Sequence, residues 1–225
     1  MIRSRLLFSL VTLAVVASIP ARGAGMNGKL DEVLANMERA ARSIKTIEAD
    51  LRQEKRDMQI GGKEVYTGKI YFQHSGKNQD KLRINYSIPD GQVVAVVGDN
   101  ITLYQPRINQ VILTTRKAQA SQNQEFSFIA TPYKSVPELK SQFNIVYAGD
   151  EGSTAKLELT PKGASSAKKV TLWVDQSLWL PIKYQIVETN NNVTTFSLSN
   201  LKQSAGASGD TFKVSWPSGT KVVRR

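Results

Sequence analysis

The 225-residue chain has no cysteine, one histidine and three tryptophans. Without cysteine it can form no disulfide, offers no thiolate to a metal or an electrophile, and cannot be lipidated at a lipobox. With His74 the only imidazole, a transition-metal centre would have to be built mainly from carboxylates, and a general base would need a partner that its local sequence does not supply. No G-x-S-x-G, phosphate-loop or metalloprotease pattern occurs. Carboxylates such as Asp31, Glu32 and Glu38 fall on the polar side of a helical pattern, and Asp150-Glu151 sits in a turn, so surface charge accounts for them. These shortages argue against an enzyme and imply neither a metal nor a cofactor.

Acids are also scarce relative to bases: 30 Lys and Arg stand against 19 Asp and Glu, a formal charge of +11. A basic surface suits anionic headgroups, an acidic protein or nucleic acid, and export favours the first two.

The first residues read as a cleavable export signal. Arg3 and Arg5 precede an apolar run from Leu6 to Ala17 that is too short for the ~20 residues of a membrane span, and Pro20 ends it. Small residues at Ala21 and Gly23 place the cut after Gly23, giving a signal peptide over 1–23 and one domain over 24–225. Losing Arg3, Arg5 and Arg22 leaves the mature chain at +8. With no disulfide to staple it, the domain must be held by a packed core, for which ~200 residues suffice.

From Lys29 to Ile44 the residues Leu30, Val33, Leu34, Met37, Ala41 and Ile44 recur at helical spacing, which predicts an amphipathic helix. The period then changes to two. Ile47 to Arg56 and Val65 to Gln73 flank the Gly61-Gly62 turn, and Leu82, Ile84, Tyr86 and Ile88 alternate with polar neighbours before Pro89-Asp90-Gly91. Short strands follow over Val93–Val97, Ile101–Gln105 and Val111–Thr115. The pattern breaks between Ser121 and Lys140, where short helices or a loop insertion are expected. Strands resume over Phe143–Tyr147, Lys156–Thr160, Val170–Val174, Leu180–Val187 and Val193–Leu201, with one more around Phe212–Ser215.

About eleven strands after one helix, with no βα alternation, predict a mainly β fold. It would be a large curved antiparallel sheet forming an unclosed barrel, covered by the N-terminal helix and the short helical insertion. Aromatics on separate strands, Phe72, Tyr86, Tyr104, Trp173, Tyr184 and Phe196, can converge on one face. With Leu34, Met37, Leu82, Ile84, Phe126 and Phe128 they are the candidate lining of an apolar cavity.

The stretch Gly68-Lys69-Ile70-Tyr71-Phe72, followed by Leu82-Arg83-Ile84-Asn85-Tyr86-Ser87-Ile88-Pro89 and the run from Val93 to Tyr104, resembles the LolA family of periplasmic outer-membrane lipoprotein carriers. Leu157 to Pro161, Val170 to Val174, and Asn200 before Phe212 and Trp216-Pro217-Ser218-Gly219 continue the likeness in order, from about Lys29 to Val223. The resemblance implies a soluble periplasmic monomer whose cavity takes lipoprotein acyl chains from an inner-membrane transporter and passes them to an outer-membrane acceptor, with neither nucleic acid nor stable membrane insertion involved. A lipid-binding or envelope-stress-sensing domain of similar fold is the alternative. One departure stands out: the Arg-Pro pair that many members carry before the Leu82 strand is replaced by Lys77-Asn78-Gln79-Asp80. Arg83 matches the arginine within the family strand and is the candidate polar contact of a lid or partner, although its parity is opposite to that of Leu82 and Ile84. On this reading Ile84→Glu is expected to abolish lipid binding without unfolding the chain.

Overall fold

The computed structural model describes residues 22–74, 80–118, 135–203 and 209–225. Helix α1 (Arg22–Ser43) leads into strands β1 (Thr46–Arg56), β2 (Lys63–Gln73), β3 (Lys81–Ile88), β4 (Val93–Val97), β5 (Asn100–Gln105) and β6 (Gln110–Thr115). After helix α2 (Val136–Gln142) come β7 (Phe143–Glu151), β8 (Thr154–Pro161), β9 (Ala167–Asp175), β10 (Pro181–Glu188), β11 (Val193–Gln203) and β12 (Lys221–Arg224). All twelve strands form one curved sheet in the order β12-β6-β5-β4-β3-β2-β1-β11-β10-β9-β8-β7, and its two end strands do not pair, so the barrel stays open.

Two expectations at the chain ends are corrected. The helix begins at Arg22 rather than Lys29, so the expected mature start at Ala24 lies in its first turn. The tail has no strand around Phe212–Ser215. Gly209–Phe212 is a 3-10 turn, and the twelfth strand lies farther on, parallel to β6, with Lys221 opposite Gln110 and Arg224 opposite Leu113. That makes one parallel pair in a sheet expected to be wholly antiparallel.

Alternation divides the faces. From β1 outwards, the register aligns Ile47 with Phe72, Phe72 with Leu82 and Leu82 with Val96, and on the other side Leu51 with Leu198, then Phe196 with Tyr184 and Tyr184 with Leu172. These residues share the concave face and are buried. Tyr184 and Phe196 stack there at 4.5 Å between ring centroids. Helix α1 adds Val33, Leu34 and Met37, and α2 adds Leu139, to the same hydrophobic cluster.

Gly68 sits at a bulge between β2 and β3, where the register shifts between Thr67 and Gly68. A Cβ there would lie 2.1 Å from the Asn85 carbonyl oxygen, so only glycine allows this approach of the two backbones. At the β1–β2 turn Gly61 takes φ +73, which explains the Gly61-Gly62 pair.

Candidate functional site: an apolar cavity under two helices

The open end of the concave face holds a cavity of about 110 Å³. Its apolar wall is built from Met37 and Ala41 near the end of α1 and Ile44 just after it, Ile47 and Phe72 on the first two strands, Val136 at the start of α2, Trp179 and Leu180 in the β9–β10 turn, and Pro181 at the start of β10. Glu38, Arg42, His74 and Ser135 form its polar rim. The wall comes from the α1–β1 junction because Ile44 and Ile47 straddle the point where helical spacing gives way to alternation, and both turn inward. Trp179 reaches it from a tight turn, with φ +54 and its backbone N–H donating to the Asp175 carbonyl at 2.7 Å.

The rim is tied across the helices. The Val136 backbone N–H donates to Glu38 Oε2 at 3.2 Å, and Arg42 Nη2 donates to Glu38 Oε1 at 3.0 Å. Helix α2 starts with a capping box in which Ser135 Oγ accepts from the Glu138 N–H and the Glu138 carboxylate accepts from the Ser135 N–H. Its other end is held by Lys162, whose Nζ donates to the Lys140 carbonyl at 2.6 Å and whose N–H donates to the Gln142 carbonyl at 2.9 Å.

His74 has a partner that its local sequence did not reveal: Nδ1 lies 2.7 Å from Asp80 Oδ1. Ser135 shares the rim, but its hydroxyl donates to Glu138 at 2.9 Å within the capping box. The rim therefore supplies charge and hydrogen bonds around an apolar opening. Among the described residues no group of three potential metal ligands occurs.

Of the residues expected to line a cavity, Met37 and Phe72 do so. Leu34, Leu82, Ile84, Tyr86, Tyr184 and Phe196 face the same concave side but are packed into the core beyond it. Tyr104 and Trp173 do not face it. Tyr104 pairs with Val93 and Val111 on the outer face, while Trp173 lies outward beside Lys156 and Lys183, its Nε1 donating to Glu151 at 2.8 Å. In both strands the aliphatic residues, Ile101 and Leu103 in β5 and Val170, Leu172 and Val174 in β9, hold the concave parity, so the alternation itself places each aromatic on the other face. Phe126 and Phe128 lie outside the described residues.

Arg83 also faces outward. Its Nη1 donates to the carbonyls of Thr211 (3.0 Å) and Lys213 (2.8 Å), and its Nε donates to Asn85 Oδ1 (2.6 Å). Burial pushes the guanidinium pKa below its ordinary value. Arg83 thus pins the segment carrying buried Phe212 to the back of β3, and the hydrogen bond between the two helices is made by Glu38.

The cavity was not legible as such because residues from a turn, a helix end and two strands build it. Ala41 and Ile44 continue the apolar stripe of α1, and that continuation past Met37 is the one sequence signal that pointed to it.

A family model described as outer membrane lipoprotein carrier protein LolA matches residues 42–215. The chain belongs to the LolA family. LolA-family proteins are periplasmic, and the fold binds lipid or lipoprotein acyl chains. Comparison with the curated proteins gave no match. Among solved structures, an uncharacterized conserved protein from Thermus thermophilus is 13% identical with a TM-score of 0.56, over 88% of this chain and 99% of that one. A putative outer membrane lipoprotein-sorting protein domain from Vibrio parahaemolyticus is 14% identical with a TM-score of 0.51, over 84% and 96%. A chain of the Pseudomonas aeruginosa MucA/MucB complex is 15% identical with a TM-score of 0.50, over 83% of this chain and 61% of that one. At these identities the likeness is one of fold. Among the described residues, no helix is long and apolar enough to cross a membrane.

Proposed function

We propose that residues 1–23 are removed on export and that residues 24–225 form a soluble periplasmic carrier, which shuttles lipoproteins by their acyl chains from an inner-membrane transporter to an outer-membrane acceptor. The observation that carries this reading is the apolar cavity between the concave face and two helices in a member of the LolA family. Non-covalent carriage needs no reactive group, which agrees with a rim occupied by ion pairs and helix caps.

The cavity is narrow in this conformation. Ligand sites usually occupy ~300–1,000 Å³, so about 110 Å³ admits the end of one acyl chain and no more. Loading therefore requires a helix to move. Stripping α1 from the sheet would expose Val33, Leu34 and Met37, at ~1.5–3 kcal/mol for each side chain. Helix α2 buries only Leu139 among its residues, so its displacement costs ~2 kcal/mol of burial plus its rim hydrogen bonds. Helix α2 is the lid.

Purified protein should bind a fluorescent triacyl lipopeptide and give it up to acceptor membranes. Failure to bind any acylated probe would overturn the proposal. Binding with no transfer would favour the alternative, a periplasmic lipid-binding or envelope-stress-sensing domain of similar fold.

A further inference from the structure

The outer face of the sheet carries a second hollow, on the opposite side from the lipid cavity. On β11 the outward positions are Val193, Thr195, Ser197 and Ser199, all short. Its neighbours present long side chains on the same face: Arg52, Glu54 and Arg56 on β1, Lys183 and Gln185 on β10. A low floor between high walls makes a groove of about 540 Å³. It continues past Arg52 into a hollow of about 440 Å³ that reaches Ser199. Val193 to Ser199 spans ~20 Å at ~3.3 Å per residue, the length of an extended segment of six or seven residues.

The groove is cationic. Glu54 is the one carboxylate lining the larger hollow, and it is shared by Arg52 (3.3 Å), Arg56 (2.7 Å) and Lys63 (3.1 Å), each about half exposed; the second hollow adds Asp50, which is paired with Lys69 at 3.1 Å. Arg56 and Lys63 hold the Glu54 pKa down to about 2, so it remains charged, but one negative charge among three cations leaves the groove positive. Lys183 adds a fourth cation on the opposite wall, and Thr195, Ser197 and Gln185 supply neutral hydrogen-bonding groups along the floor and rim.

We propose that this groove docks an extended acidic peptide segment of a protein partner. Its width is that of one chain, and its cations stand on both walls, where the carboxylates of such a segment would fall. A glycan would call for an accessible aromatic platform. The nearest aromatic, Trp173, is 7% exposed and has the Lys183 ammonium 4.1 Å above its ring. A bilayer plane would touch the walls and miss the recessed floor. Acyl chains and partner would then engage opposite faces of one sheet, so a loaded carrier could be held without blocking its cavity.

The test is fluorescence anisotropy with a labelled ten-residue peptide of alternating Glu and Thr, and a Lys-Thr peptide as control, near 0.1 M salt. The expected result is binding of the acidic peptide only. Affinity should fall at least tenfold in Arg52→Gln/Arg56→Gln, and equally in Thr195→Trp, which fills the floor without changing charge. Lys221→Gln/Arg224→Gln on the sheet edge should leave it unchanged, as should every variant leave uptake of a lipid dye. The proposal is overturned if the wild-type protein does not bind the peptide, if the floor-filling variant binds as tightly as wild type, or if phosphatidylglycerol vesicles bind in the peptide's place with the same sensitivity to substitution.

Discussion

Tyr86 donates a 2.6 Å hydrogen bond to Gln53 Oε1 with both side chains buried on the concave face. Tyr66 meets Tyr86 edge to face at 5.8 Å on the same side. A buried amide in an otherwise apolar sheet is tolerated because such partners satisfy it, and the arrangement fixes the register of β1 against β2 and β3. Tyr86→Phe keeps the ring and removes the donor. It should lower stability by ~1–2 kcal/mol, read as a lower denaturant midpoint at unchanged slope; an unchanged midpoint would show that the bond contributes nothing.

Ile84 is wholly buried within the core, beyond the cavity wall. Ile84→Glu is therefore expected to unfold the protein rather than to block binding selectively, because an unpaired carboxylate cannot be accommodated there. Circular dichroism of the variant checks this, and a native spectrum would refute it. The variant suited to blocking the cavity is Ala41→Phe, on its wall, with binding lost and the fold kept.

Glu38 joins α1 to the first residue of α2. Glu38→Ala removes the acceptor for the Val136 N–H and should weaken closure by ~0.5–1.5 kcal/mol. A shift of that size raises the open population about two- to tenfold if closure dominates. Faster uptake of a hydrophobic dye by stopped-flow is the expected outcome; slower uptake would remove α2 from the role of lid.

Arg83→Met should release the C-terminal segment and leave the cavity alone. Two carbonyl acceptors lose a charged donor, a loss of ~1.5–3 kcal/mol. Trypsin should then cut after Lys213 more rapidly while dye uptake stays at the wild-type level. Impaired uptake with an intact tail would return Arg83 to the lid.

Glu54 governs an acid-side effect. Its folded-state pKa is depressed to about 2 from an ordinary value of 4.5. The stabilisation is complete above pH 4.5 and is lost as pH falls towards 2, because the unfolded chain takes up the proton first. Glu54→Gln should flatten the dependence of the denaturant midpoint on pH across that interval; an unaltered profile would mean that Arg56 and Lys63 do not hold the charge.

The strands were legible wherever one face is apolar and the other polar, as from Leu82 to Ile88, and the turns wherever glycine pairs or Pro-Asp-Gly punctuate them. The faces of Tyr104 and Trp173 were legible as well, on the parity opposite to Ile101 and Leu103 and to Val170, Leu172 and Val174, and grouping them with the inward aromatics went against that alternation. What the sequence did not show is that this outer parity is buried too, as at Thr171, Trp173 and Val111. The parallel strand Lys221–Arg224 is basic and short, and its pairing depends on Asn109, whose carbonyl accepts from the Lys221 N–H at 3.0 Å. Gln53 reads as a surface residue by type, and its burial depends on Tyr86, which is distant in sequence.

The pairing of β1 with β11 places Asn200 against Asp50, 150 positions earlier, where Nδ2 donates to the carboxylate at 2.7 Å. The middle of the sheet is thus a late seam along the chain, followed only by the β12–β6 edge. Strands β2 to β6 can form a meander as they emerge, and β7 to β11 another, but neither half closes the core until the seam is made. Such distant contacts slow folding. A chain leaving a ribosome or a membrane pore would stay open, and a substrate for chaperones, until nearly all of it is out.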